Sequence, residues 1–169
     1  MDSLSEARLA EVEPTLAARV RKMADQLSGE GISIRVVQSL RTWQEQAALY
    51  AKGRDADGNV VDKSQVVTNA KPGSSWHNFA LAVDVAPFDG GIPDWNIEHP
   101  AWKRIVAVGE SVGLVSGSTW RTFPDWPHFQ SKEIPVSPTA EDVIALNNEG
   151  IDGVWSRYNF TPPDTAISA

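Results

Sequence analysis

Gly73-Ser74-Ser75-Trp76-His77-Asn78-Phe79-Ala80-Leu81-Ala82-Val83-Asp84 is the stretch on which the reading of this chain turns. Phe79, Leu81, Val83 and Val85 alternate with Ala80, Ala82 and Asp84, which predicts a strand over about 80–86. Asp84 then lies opposite the apolar side and can face a cleft while its neighbours face a core. His77 stands seven residues earlier. Seven extended residues span about 23 Å, whereas two ligands of one metal ion each lie about 2 Å from it. The two side chains can share a metal only if the chain reverses between them, and Asn78-Phe79-Ala80 is where it must turn.

Upstream, Leu16, Val20, Met23 and Leu27 recur at helical spacing. Pro14 suits the first turn of that helix, and Gly29 and Gly31 stop it. A short helix within residues 1–12 is expected before it, with Leu9 and Val12 as its apolar contacts. Ile32, Ile34 and Val36 predict a strand. Thr42 and Glu45 have capping-box spacing, so a helix is expected over about 43–52. Arg41 thus sits at a strand–helix junction. Residues 53–75 carry no period, although Val66-Val67 suggests a short strand.

Downstream, His99-Pro100 opens a helix to about Ser111, with His99 as its N-cap. Leu114-Val115 and His128-Phe129-Gln130 read as brief strands, and Glu141–Leu146 begins a last helix or turn. Strands and helices without regular alternation predict a single α+β domain with a small, mostly antiparallel sheet flanked by helices. The expected bounds are residues 1–160, with 161–169 as a flexible tail.

Composition narrows the chemistry. No cysteine is present, so disulfides, thiol nucleophiles and thiolate metal sites are excluded. A metal site must combine histidine with carboxylate, and the chain has three histidines. The net charge of −7 argues against nucleic acid as a partner. The N-terminal residues lack the basic start and apolar core of a secretory signal, and no apolar run approaches the roughly 20 residues that span a bilayer. Synthesis in the cytoplasm and no membrane partner are expected.

The second informative stretch is Asp125-Trp126-Pro127-His128-Phe129. His77, Asp84 and His128 together would leave a fourth tetrahedral position for water, the composition of a catalytic site. By residue chemistry alone, other readings stand beside this one. Each histidine can be a hydrogen-bonded core or surface group. Arg41 can be a solvent-facing helix-start residue, and Asp125 can simply orient His128. Trp76 and Trp126, which flank the two motifs, can be packing. Arg54, Lys71 and Arg121 read as solvated charges.

The first stretch resembles the Ser-x-His-x-x-Gly-x-Ala-x-Asp signature of the zinc D-alanyl-D-alanine carboxypeptidase and L-alanyl-D-glutamate endopeptidase family, which includes many phage endolysins. Ser75, His77, Ala82 and Asp84 occupy the matching positions, and Asp125 and His128 resemble the acid-x-x-His motif. Arg41-Thr42, Glu45-Gln46, Leu49-Tyr50, Val67-Thr68-Asn69-Ala70, Gly73, Gly113-Leu114, Gly117 and Trp120 extend the likeness over about 10–130. Two departures stand out. Ala80 replaces the family glycine, which makes a left-handed turn costlier, and Ser116 and Ser118 replace a tryptophan and a glycine.

The resemblance implies a hedgehog/D-Ala-D-Ala-peptidase-like fold with a zinc cleft. It implies Zn2+ held by His77, Asp84 and His128, with Asp125 as the general base. Arg41 would hold a substrate carboxylate or stabilise an oxyanion, and Ser75 would hydrogen-bond near the metal or the substrate. From its place beside the second motif, and not from the resemblance, Trp126 is expected to line the cleft and bind substrate. The expected function is hydrolysis of a peptidoglycan stem peptide by an endolysin-like, monomeric L-alanyl-D-glutamate endopeptidase. Such an enzyme would reach the wall or periplasm through a holin-like pore. The alternatives are a D-Ala-D-Ala carboxypeptidase and a non-catalytic zinc-containing wall-binding module.

Overall fold

The computed structural model describes residues 1–89 and 91–161. Helix α1 covers Ser3–Leu9 and α2 covers Pro14–Gly29. The Glu13 carboxylate accepts from the N–H groups of Thr15 and Leu16 at 2.9 and 2.7 Å, and Pro14 opens α2 as expected. Leu16, Val20, Met23 and Leu27 are buried along one stripe. Strand β1 is Ile34–Gln38 and α3 is Trp43–Ala51, whose Thr42/Glu45 capping box is fully formed. Strands β2 (Ala82–Asp89) and β3 (Ile92–Pro93) follow, then α4 (Ala101–Ser111), β4 (Leu114–Gly117), β5 (Asp125–Ser131) and α5 (Ala140–Trp155).

The sheet is antiparallel in the order β1-β2-β5-β4, with β3 paired to the far end of β2. One apolar layer lies between the sheet and helices α2 and α4, built on Leu16, Val20, Met23, Val83, Val85, Ile105 and Phe129. Gly109 makes that packing possible. A Cβ there would stand 2.6 Å from the Phe129 ring and 3.2 Å from the Met23 sulfur, so α4 could not approach the sheet. A second cluster of Trp76, Phe79, Leu81, Ala145 and Val154 seats α5 on the other side of the motif. The α+β expectation, with a small antiparallel sheet, holds.

Four local expectations need correction. The central strand begins at Ala82, two residues later than predicted, because Trp76–Phe79 forms a 3-10 helix and Ala80 reverses the chain at φ 54°. Val66-Val67 forms no strand; Lys63–Gln65 turns as a 3-10 helix, and Val67 stays exposed. Pro100, not His99, is the N-cap of α4, although the His99 ring still accepts from the Ala101 N–H at 3.2 Å. Thr161, assigned to a loose tail, is tied down: its carbonyl accepts from Arg19 at 2.7 Å. The rest of that tail, 162–169, lies outside the described residues. Buried Arg19 also grips Glu133 through its two terminal guanidinium nitrogens and donates to the Gly113 carbonyl. It joins α2, the α4–β4 turn and the segment after β5. Among the described residues, no helix is long and apolar enough to cross a membrane.

The cost of Ala80 in the left-handed region is on the order of 1–2 kcal/mol. Its surroundings offset that cost. The methyl group is fully buried in the main core, and the Ala80 carbonyl accepts the Glu13 N–H at 3.0 Å. The turn that brings His77 back over β2 is therefore held by the start of α2.

Candidate metal centre and cleft

His77 lies in the 3-10 helix before the Ala80 reversal, and Asp84 lies three residues into β2. Asp84 and His128 are direct register partners across the antiparallel β2–β5 pair, so their side chains leave the sheet on the same face. The His77 Nε2 to Asp84 Oδ1 distance is 3.1 Å, and the His128 Nδ1 to Asp84 Oδ1 distance is 3.7 Å. All three donor atoms lie within 4.8 Å of one another. A tetrahedral zinc with arms of about 2.1 Å separates its ligand atoms by roughly 3.4 Å, so the spacing suits one ion.

Hydrogen bonds on the far side of each ring decide which nitrogen faces the site. His77 Nδ1 lies 2.8 Å from the Ser39 carbonyl, which can only accept, so Nδ1 donates there and Nε2 is the nitrogen turned to the site. Gln130 donates its amide to the Pro135 carbonyl at 2.8 Å, which turns its own oxygen towards His128 Nε2 at 3.1 Å. His128 therefore donates from Nε2 and presents Nδ1. Burial, then the charge of His77, pushes the His128 imidazole down to about 4, so it is neutral at pH 7. Burial alone would raise the Asp84 carboxyl. The charges of His77, His128 and Arg41 and the His77 contact outweigh it and hold the group well below the usual carboxylate range. Two imidazole nitrogens aimed at one carboxylate oxygen form a donor set with room for a cation between them. The donor set of two nitrogens and one oxygen suits zinc.

Gln130 lies outside both sequence motifs yet holds the His128 ring, and its place two residues after His128 puts it on the same strand face. Gln130→Met is expected to weaken zinc binding about 10- to 100-fold, because His128 loses the partner that fixes its tautomer. Competition against a fluorescent chelator measures this; unchanged affinity would rule the role out.

Asp125 and His128 are three residues apart, so on a regular strand they would face opposite sides. The register between β4 and β5 slips: Ser116 pairs with Phe129, yet Gly117 pairs with Asp125. This irregularity brings Asp125 round to the side of His128. Gly117 is required there, because a Cβ would stand 2.7 Å from the Asp125 carbonyl and 3.2 Å from the His128 Cβ. Burial, then the charge of Asp84, lifts the Asp125 carboxyl to about 6. Ser116 and Ser118, which stand where the resemblance expected a tryptophan and a glycine, hydrogen-bond each other at 3.0 Å.

These groups open into one cleft of about 720 Å3. Arg41, Ser75, His77, Asp84, Asp125 and His128 all line it. Arg41 is more constrained than the sequence suggested. Its guanidinium donates to Gln46 at 3.0 Å and to the second Asp84 oxygen at 3.3 Å. Gln46 is itself buried and donates to the Ala70 carbonyl at 2.8 Å. Trp126 is half-buried and is absent from the cleft lining, where Trp95 and Trp120 stand instead. The Trp120 ring lies 4.8 Å from the His128 ring. Trp76 is part of the cleft floor; it is fully buried and donates to the Pro135 carbonyl at 2.7 Å.

Known proteins are similar to this chain in sequence and in fold. Residues 9–116 match the family model VanY, D-alanyl-D-alanine carboxypeptidase. The match ends before β5, so Asp125 and His128 are joined to the motif by geometry. The peptidoglycan L-alanyl-D-glutamate endopeptidase CwlK of Bacillus subtilis (strain 168) is 32% identical over 124 residues, 66% of this chain and 70% of the relative. The solved L-Ala D-Glu endopeptidase ChiX of Serratia marcescens superposes with a TM-score of 0.56 at 22% identity, covering 78% of this chain and 88% of its own. A vancomycin-resistance D,D-pentapeptidase VanY variant, solved in complex with Zn(II), gives a TM-score of 0.53 at 16% identity, covering 85% and 83%. With a matched family model over most of its length and a relative of this identity, the chain belongs to the VanY D-alanyl-D-alanine carboxypeptidase family.

Proposed function

We propose that this protein is a zinc-dependent L-alanyl-D-glutamate endopeptidase acting on the stem peptide of peptidoglycan. The observation that carries the reading is the meeting of His77, Asp84 and His128 with Asp125 in one cleft. The similarity to CwlK supports the choice of bond. His77 would hold zinc through Nε2, His128 through Nδ1 and Asp84 through Oδ1. When bound, zinc supplies the Lewis acidity that polarises an amide carbonyl and makes water nucleophilic near neutral pH.

The chain's own groups do the rest. Asp125 accepts a proton from the attacking water, then delivers it to the leaving amine as the C–N bond breaks. A carboxyl lifted to about 6 suits both halves of that transfer. Arg41 holds the outer Asp84 oxygen, fixing the carboxylate plane, and its charge lies beside the developing oxyanion. Ser75 stands at the cleft wall beside His77 and supplies a hydroxyl to the substrate backbone. A binding module needs no proton carrier, so the raised, partly buried Asp125 carboxyl beside the donor set favours catalysis.

Mass spectrometry of a defined muropeptide digest tests the reading. The expected products are a glycan bearing L-alanine and a free peptide beginning with D-glutamate. Release of terminal D-alanine alone would instead establish the carboxypeptidase alternative.

A further inference from the structure

Arg121, a solvated charge by sequence alone, lines the cleft. The charged residues among the described cleft lining are Arg41, Asp84, Arg121 and Asp125. Asp84 faces the metal site, Asp125 stands beside it, and Arg41 is committed to Gln46 and Asp84. Arg121 is exposed, and among the described residues it has no ion-pair or hydrogen-bond partner.

Its position is defined by its neighbours. Arg121 directly follows Trp120, whose ring lies against His128. It precedes Asp125 by four residues in the loop that joins β4 to β5. The base of that loop is fixed by the Gly117–Asp125 pairing and by the Trp120 N–H donating to the Gly117 carbonyl at 3.1 Å. The same wall thus carries the proposed proton carrier and an uncommitted guanidinium.

Resting on the endopeptidase reading, the reaction places a particular group there. Water oxygen bonds to the L-alanyl carbonyl carbon, the C–N bond breaks, and the proton held by Asp125 passes to the glutamate nitrogen. The leaving residue must therefore lie beside Asp125. Glutamate has two carboxyl groups, and the peptide continues through one of them, so the other is a free carboxylate close to that nitrogen. We propose that Arg121 binds this free carboxylate and is the specificity-determining residue for an acidic, rather than amidated, residue on the leaving side. A guanidinium fork matches a carboxylate with two charge-assisted hydrogen bonds, whereas an amide offers one acceptor and no charge.

The test uses two synthetic L-alanyl-D-glutamyl peptides, one with the free carboxyl and one with that carboxyl amidated. The zinc-loaded wild-type protein is expected to cleave the acidic peptide about tenfold or more better in kcat/KM. Arg121→Ala should bring the two peptides within about twofold of each other, chiefly through KM for the acidic one. Arg121→Lys should keep part of the preference, because charge remains but the fork is lost. Arg121 is exposed, so the variants are expected to fold, which circular dichroism checks. A preference that survives Arg121→Ala, or a wild-type protein with none, would overturn the proposal and leave the endopeptidase reading intact. Cleavage of neither peptide would overturn the endopeptidase reading, and this proposal with it.

Discussion

Asp125→Asn is expected to lower kcat for stem-peptide cleavage by roughly 10^2- to 10^4-fold while the protein still binds one zinc ion per chain. The two readouts separate because Asp125 is outside the His77/Asp84/His128 donor set. Asparagine keeps the size of the side chain and an acceptor for the His128 backbone N–H that Asp125 engages. It removes the negative charge and, with it, the ability to take and return a proton. The competing role, orientation of His128, predicts the reverse pattern: weakened metal binding with a smaller effect on kcat at saturating zinc. Steady-state rates by chromatography, alongside metal content by mass spectrometry, distinguish the two. A variant that cleaves at the wild-type rate would remove Asp125 from the mechanism.

That dependence on Asp125 was only half legible in the sequence. The acid-x-x-His spacing marked the residue, but regular strand geometry would have sent Asp125 and His128 to opposite faces. The register slip at Ser116/Gly117 reconciles them, and it depends on a close backbone approach that only a pairing partner reveals. By contrast, Asp84 was legible, since its alternation with Val83 and Val85 is local. So were the buried stripe of α2 and the Thr42 capping box, which rest on contacts within a few residues. Side-chain commitments were not legible. Arg41 looked available to a substrate, but Gln46, anchored by the Ala70 carbonyl, turns it on to Asp84. Arg121 looked solvated because its cleft is assembled from distant loops. Trp126 drew attention by adjacency to the motif, whereas Trp120 reaches the His128 ring from across the register slip. Ala80 is the instructive case of a correctly priced local conflict: the left-handed strain is present at φ 54°, and tertiary contacts to Glu13 and the core hold it.

Removing the metal should abolish activity without unfolding the protein. His77→Ala is expected to fall from about one zinc per chain to near none, and cleavage to background, because only Asp84 and His128 remain as donors. The fold should survive. The substitution leaves the Ser39 carbonyl without the His77 N–H, a loss of about 1–3 kcal/mol, against a typical stability of about 5–15 kcal/mol. The cores on both sides of the motif are packed by apolar residues that need no ion: Leu16, Met23, Ile105 and Phe129 on one side, Trp76, Phe79 and Val154 on the other. Arg19 locks Glu133, Gly113 and Thr161 independently of the cleft. Chelation of the wild-type protein should therefore stop cleavage, preserve the far-UV circular dichroism and lower Tm only by the lost binding free energy. That loss is about 4 kcal/mol if free zinc had stood a thousandfold above Kd. Added zinc should restore the rate in the wild type and not in His77→Ala. Full activity after exhaustive chelation would exclude a catalytic metal, and loss of the fold on chelation would make the ion structural.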